Sequence, residues 1–166
     1  MILGIDPGTA TTGYGFVREC RDGNLEAVDY GVILTPADLS MDKRLLMLYQ
    51  QLKEKILFHH PVSGAVEKLF FQRNVTTAIS VGQARGVILL VMAEANMTAA
   101  EYTPNEIKQA VVGYGGADKK QMQIMVKTLL NLEDIPRPDD AADALGVAIC
   151  HYYNNRFLTL AEGNAG

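Results

Sequence analysis

A chain of 166 residues with a formal charge of −4 is long enough to bury a full hydrophobic core and is most simply one domain. Its weak acidity excludes a globally basic nucleic-acid binder, so any such surface must be a local patch. Cys20 and Cys150 are far apart and match no metal-ligand spacing.

Residues 1–5 form an apolar run that reads as a buried strand, with Asp6-Pro7-Gly8-Thr9 as a turn after it. Met1 enters that strand with no basic leader, so the expected location is the reducing cytoplasm. Residues 12–19 alternate as a second strand, and Arg21-Asp22-Gly23-Asn24 is a hairpin turn into a third over 25–34. Ser40 caps a helix with Leu45, Leu48, Leu52 and Ile56 at helical spacing, and His59-His60-Pro61 ends it. A short strand over 65–67 ends in Glu67. The helix predicted over 75–95 is apolar on several faces, which predicts extensive burial. Its most apolar part, 86–97, is too short to span a bilayer and contains Glu94, so no membrane partner is expected.

Residues 99–102 form another strand. Thr103-Pro104-Asn105-Glu106 starts a helix to about Val112, and Gly113-Tyr114-Gly115-Gly116 breaks it. Asp118 caps the next helix, to about Leu130. Pro136 and Pro138 precede the last, which reaches about Phe157; Cys150 within it reads as a small core residue. The order β-β-β-α-β-α-β-α-α-α predicts an α/β fold: a mixed sheet with an antiparallel opening meander and helices on both faces. One domain over 1–158 is expected, with a frayed tail over 159–166.

Four acids are the informative residues. Asp6 and Glu67 fall at the C-terminal ends of their strands, the edge where open α/β sheets bind ligands. Asp140 and Asp143 share a face of the last helix near its start. Asp139 also shares a face with Asp143, so spacing does not choose between Asp139 and Asp140. A carboxylate at the tip of a buried strand is costly unless compensated, and a divalent cation is the common agent. Converging carboxylates would hold Mg²⁺ for phosphoryl-transfer chemistry. Gly4 and the small residues from Thr9 to Gly15 would let a phosphate or metal approach the backbone. The basic candidates are Arg73, Arg85, Lys108, Lys119, Lys120 and Lys127. Lys119 and Lys120 occupy a helix's first turn, where cations are disfavoured. A phosphate on the preceding glycine-rich loop would account for them.

Together these residues resemble the RuvC Holliday-junction resolvases, which have an RNase H-like fold. The resemblance runs from Ile2 to about Tyr153. It is carried by Gly4-Ile5-Asp6-Pro7-Gly8, Val66-Glu67 with Phe70-Phe71, Val81-Gly82-Gln83-Ala84-Arg85-Gly86, Lys108-Gln109-Ala110-Val111-Val112-Gly113 and Asp140-Ala141-Ala142-Asp143-Ala144-Leu145. It implies a four-carboxylate site at Asp6, Glu67, Asp140 and Asp143, choosing Asp140 over Asp139. It implies junction contacts by Phe70, Arg73 and Asn74 and phosphate contacts by Lys108 and Lys119. Lys68 departs from the Gln or Glu of many relatives.

The resemblance further implies Mg²⁺-dependent, paired nicking of four-way DNA junctions, leaving 5′-phosphate and 3′-hydroxyl ends. Two Mg²⁺ per site are expected, with Mn²⁺ as a substitute, together with a homodimer and the branch-migration partners RuvA and RuvB. The helix over 75–95 is the expected dimer face. A RuvX-like RNA-processing nuclease fits the neighbourhoods of Phe70 and Lys108 less well. A sugar kinase or actin-like ATPase would need two such domains. A non-catalytic DNA-binding module has no use for four acids beside phosphate, because without metal they repel it.

Overall fold

A computed structural model of the protein describes residues 1–68 and 75–163, with side chains over 1–68 and 78–156. Strands β1 (Ile2–Asp6), β2 (Thr11–Glu19) and β3 (Leu25–Leu34) come first. Then follow α1 (Met41–His59), β4 (Ser63–Glu67), α2 (Val75–Glu94), β5 (Thr98–Tyr102), α3 (Pro104–Val112), α4 (Lys119–Leu129) and α5 (Asp139–Gly163). The element order is the one expected, with strand ends moved by a residue or two. The last helix extends past the Phe157 end expected, to Gly163. From Val147 to Glu162 the sequence contains neither Gly nor Pro to stop it.

The strands form one sheet in the order β3-β2-β1-β4-β5. β1–β2 and β2–β3 are antiparallel, whereas β1–β4 and β4–β5 are parallel. Alternation along each strand splits the core in two. Leu3, Ile5, Phe16 and Val66 pack on Leu48, Leu52 and Ile56 of α1 and on Ala84, Ile88 and Met92 of α2. Val17 and Ala65 pack on the opposite side with Ile107 and Val111 of α3, Val126 of α4, and Leu145, Ala148 and Cys150 of α5. Cys150 is thus the small core residue its surroundings in the sequence implied.

Helix α5 lies directly on strand backbone because glycine vacates the space. A Cβ on Gly4 would stand 2.2 Å from the carbonyl oxygen of Ala144, and one on Gly13 only 2.0 Å from that of Asp140. Gly15 meets the side chain of Leu145 in the same way. The glycines expected to admit a phosphate or metal instead admit this helix.

Helix α2 differs from the burial expected of it. Ala84, Ile88, Val91 and Met92 face the core, but Ile79 and Leu90 are 61% and 54% exposed, and Gly82 and Gly86 between them are exposed too. The sheet and α1 cover one side of an apolar cylinder, and among the described residues nothing covers the other. Among the described residues no helix is long and apolar enough to cross a membrane.

Candidate active site

The parallel register of β1 and β4 ends at Ile5↔Val66, so Asp6 and Glu67 are the next residues and leave the sheet side by side. Both point to the α5 face, because Gly4 and Ala65, two residues earlier, lie against that helix's side of the core. Gly13 pairs with Asp6 across the antiparallel ladder. Its contact with Asp140 therefore sets the first turn of α5 at the end of β1. Three segments far apart in sequence thus bring their acids to one sheet edge.

The cost of this convergence appears in the proton affinities. Burial pushes the Asp6 carboxyl up to about 8, helped by the charges of Glu67, Asp143 and Asp140 and by a hydrogen bond with Glu67. Glu67 is raised by burial and by Asp143, and lowered by that hydrogen bond and by Lys108. Asp6 is thus the proton donor and Glu67 the acceptor of the pair. Asp143 is raised by burial, against the pull of Lys119. Asp139 moves the other way, held low chiefly by Lys119 and also by Gln123 and Arg137.

Those contacts separate Asp139 from Asp140. Oδ1 of Asp139 accepts from Gln123 Nε2 at 2.9 Å and Arg137 Nη1 at 2.8 Å. Its Oδ2 lies 3.2 Å from Lys119 Nζ, and that ammonium lies 3.5 Å from Asp143 Oδ2. Asp139 is committed to cations at the rim; both it and Asp140 raise Asp143, but of the two only Asp140 also raises Asp6. A cavity of about 200 Å³ opens here, lined by Glu67, Asp143, Lys108 and Lys119 and floored by Ile107 and Met122.

Lys108 comes from α3. That helix starts with a reciprocal cap between Thr103 and Glu106, with Pro104 at its first position. Lys119 opens α4 just after its cap, Asp118, whose side chain accepts from the Gln121 backbone N–H while Gln121 accepts in return. Part of the anion-binding capacity expected of this helix start is therefore used internally. The unfavourable place of Lys119 in the first turn is explained by Asp139 and Asp143.

The other sequence candidates fall elsewhere. Arg85 is ion-paired with Glu101 of β5; Glu101 pairs with Val66, whose side chain belongs to the α2 side of the core. Arg85 is thus on the face of the sheet opposite the acids, and its charge has a partner within the chain. Phe70, Arg73 and Asn74 lie outside the described residues. Lys68 is exposed, and its backbone N–H donates to the Tyr102 carbonyl at 2.7 Å.

Two features were not singled out from sequence. One is the helix-on-glycine contact of Gly4, Gly13 and Gly15; the glycines at alternate strand positions were its only signal. The other is Asp139 as the acid that holds Lys119, which requires knowing that α4 and α5 are adjacent.

The donor set fits a hard divalent cation: oxygen ligands only, carboxylate in kind, and mutually repelling. Among the described residues no three such side chains are drawn together tightly enough to grip an ion as they stand. Asp6 and Glu67 bond to each other and Asp143 to Lys119, as expected of acids neutralised by a shared proton and an ammonium.

Comparison with known proteins agrees with this geometry. The chain matches the family model "Crossover junction endodeoxyribonuclease RuvC" over residues 2–151. It is 52% identical over 164 residues to the crossover junction endodeoxyribonuclease RuvC of Syntrophomonas wolfei, covering 99% of this chain and 95% of that protein. The structure of Thermus thermophilus RuvC superposes with a TM-score of 0.88 at 32% identity, covering 94% of this chain and 95% of that one. T. thermophilus RuvC in complex with a Holliday junction substrate gives 0.86 at 29%, with the same coverage. The RNase H-like mixed sheet expected from the sequence is therefore the fold observed, and the chain belongs to the RuvC family of crossover junction endodeoxyribonucleases.

Proposed function

We propose that this chain resolves four-way DNA junctions by paired, symmetric nicks at a site formed by Asp6, Glu67, Asp140 and Asp143. The observation that carries the reading is the convergence of half-buried, mutually repelling acids, two of them lining a cavity edged by Lys108 and Lys119. Acids alone would repel DNA, and lysines alone would bind it without cutting. Bound among the four carboxylates, two Mg²⁺ ions, or Mn²⁺, would supply the charge that activates water and stabilises the departing 3′-oxygen.

The chain's own residues divide the remaining work. Asp6 and Glu67 give up their shared proton and present oxygens from the rigid sheet edge. Asp143 and Asp140 present theirs from a helix start whose position is set by strand glycines. Lys108 and Lys119 draw the phosphate of the cut strand into the cavity, and Phe70, Arg73 and Asn74 engage the junction beyond it. The ends left are 5′-phosphate and 3′-hydroxyl, ready for resealing. The catalytic unit is the RNase H-like domain over 1–158, and RuvA and RuvB are its branch-migration partners.

A junction is close to two-fold symmetric, so a C₂ homodimer would match its two cut strands. The exposed stripe Ile79, Gly82, Gly86 and Leu90 on α2 supports that helix as the interface. Its glycines leave open space in which a second helix could approach closely.

The test is one labelled synthetic junction, incubated with and without Mg²⁺ beside a linear duplex. Mg²⁺-dependent nicks in the junction are expected, with the duplex left intact. Asp6→Asn, Glu67→Gln, Asp140→Asn and Asp143→Asn should each abolish nicking while retaining junction binding. Near-normal cutting by any one variant would remove that residue from the essential set.

A further inference from the structure

We propose that Asp139 is a positioning residue that moors Lys119 at the rim of the carboxylate cluster, so that the ammonium neutralising Asp143 can yield to a divalent cation without leaving the cavity. The inference rests on reading Asp6, Glu67, Asp140 and Asp143 as the metal site, and assigns a role to an acid outside that set.

The geometry is that of a two-position anchor. Asp139 Oδ1 is taken by Gln123 and Arg137. Those two contacts fix the carboxyl and leave Oδ2 for Lys119, 3.2 Å away. The same ammonium reaches Asp143 Oδ2 at 3.5 Å. Lys119 thus bridges one acid that lines the cavity and one that does not. A dication at Asp143 and an ammonium at Asp143 compete for the same oxygen and repel each other. Without Asp139, the ammonium's remaining partner is Asp143, where it opposes the cation most. With Asp139, it retains a partner outside the ligand set, near where a phosphate oxygen would enter beside Lys108. Arg137, Gln123 and Asp139 come from the α4–α5 connection, from α4 and from α5, so the anchor is set by the packing of those helices.

Asp139→Asn keeps the shape and an oxygen for Gln123 and Arg137, but presents an amide to Lys119. Lys119→Met keeps the chain length and removes the competitor. Mn²⁺ uptake is measured by titration calorimetry on the full chain at about 0.15 M salt, where long-range charge effects are screened. Circular dichroism checks the fold of each variant. Lys119→Met should tighten Mn²⁺ binding and Asp139→Asn should weaken it, each by about two- to fivefold, the range of a partly exposed ion pair. The cycle is decisive: Asp139→Asn should weaken binding at least twofold more in the native background than in Lys119→Met.

Equal effects in both backgrounds would overturn the mooring role, as would weaker Mn²⁺ binding by Lys119→Met. Asp143→Asn serves as the control. If it leaves Mn²⁺ uptake unchanged, the reading of the cluster as a metal site fails first, and the proposal with it. If it abolishes uptake while the cycle is additive, only the mooring role fails.

Discussion

Asp6 ends β1 partly buried, beside Glu67 and within the field of Asp140 and Asp143. Its carboxyl keeps a proton in the folded chain at pH values where the unfolded chain, with its ordinary value of 3.8, has released it. The folded state then binds more protons, so this residue's contribution makes stability fall as pH rises from about 4 to about 8. His151 acts in the opposite sense. Burial lowers its imidazole from 6.5 to about 4, so the unfolded chain protonates first and stability rises with pH across that window. Above pH 6.5 the histidine no longer opposes Asp6. In EDTA, the thermal midpoint should therefore decline between about pH 6.5 and 8. Asp6→Asn should flatten that decline, and Mg²⁺ or Mn²⁺ should reverse it in the native chain. A level midpoint in EDTA would mean that Asp6 carries no proton there. The pairing of Asp6 with Glu67 was legible as two strand-end acids. Their shared proton was not, because it depends on a parallel register between segments about sixty residues apart.

Helix α5 carries two of the four acids, and its place is set by what β1 and β2 lack. A methyl on Gly13 would fall 2.0 Å from the backbone oxygen of Asp140, so Gly13→Ala must push the helix start away from Asp6. Overpacking of this kind costs about 1–3 kcal/mol. The larger effect should be on nicking, since small displacements of catalytic groups cost rate steeply. Cleavage measured well below the variant's unfolding midpoint should still be greatly reduced, and normal cleavage there would show that α5 can shift without consequence. The α2 helix teaches the reverse lesson about legibility. Its composition predicts burial, yet among the described residues only the Ala84, Ile88, Val91 and Met92 side is covered. Hydrophobicity states how much surface should leave water, not whether this chain or another covers it. Arg85 was legible as a cation on a helix, but its pairing with Glu101 depends on which face of β5 that side chain takes, which the order of elements does not state.

Among the described residues a single chain brings together one such set of acids, while the proposed substrate has two strands to cut. Leu90→Arg, on the exposed stripe of α2, should therefore convert a dimer into an 18.1 kDa monomer by sedimentation. It should leave single nicks in place of paired ones. A variant that remains dimeric would place the interface elsewhere. With net charge −4, junction affinity must come from local lysines and fall steeply with salt. By itself the sequence determined the order of elements, the candidate acids and the family they point to, since periodicity, turn residues and short motifs are local properties of a chain. Only the tertiary structure decided that the glycines seat a helix, that Asp139 pairs with Lys119 while the charge of Asp140 reaches Asp6, and that one side of α2 is left bare by the described residues. Each of these is a contact between elements, decided by sheet register and the distance at which helices pack, and neither quantity is written in the spacing of residues.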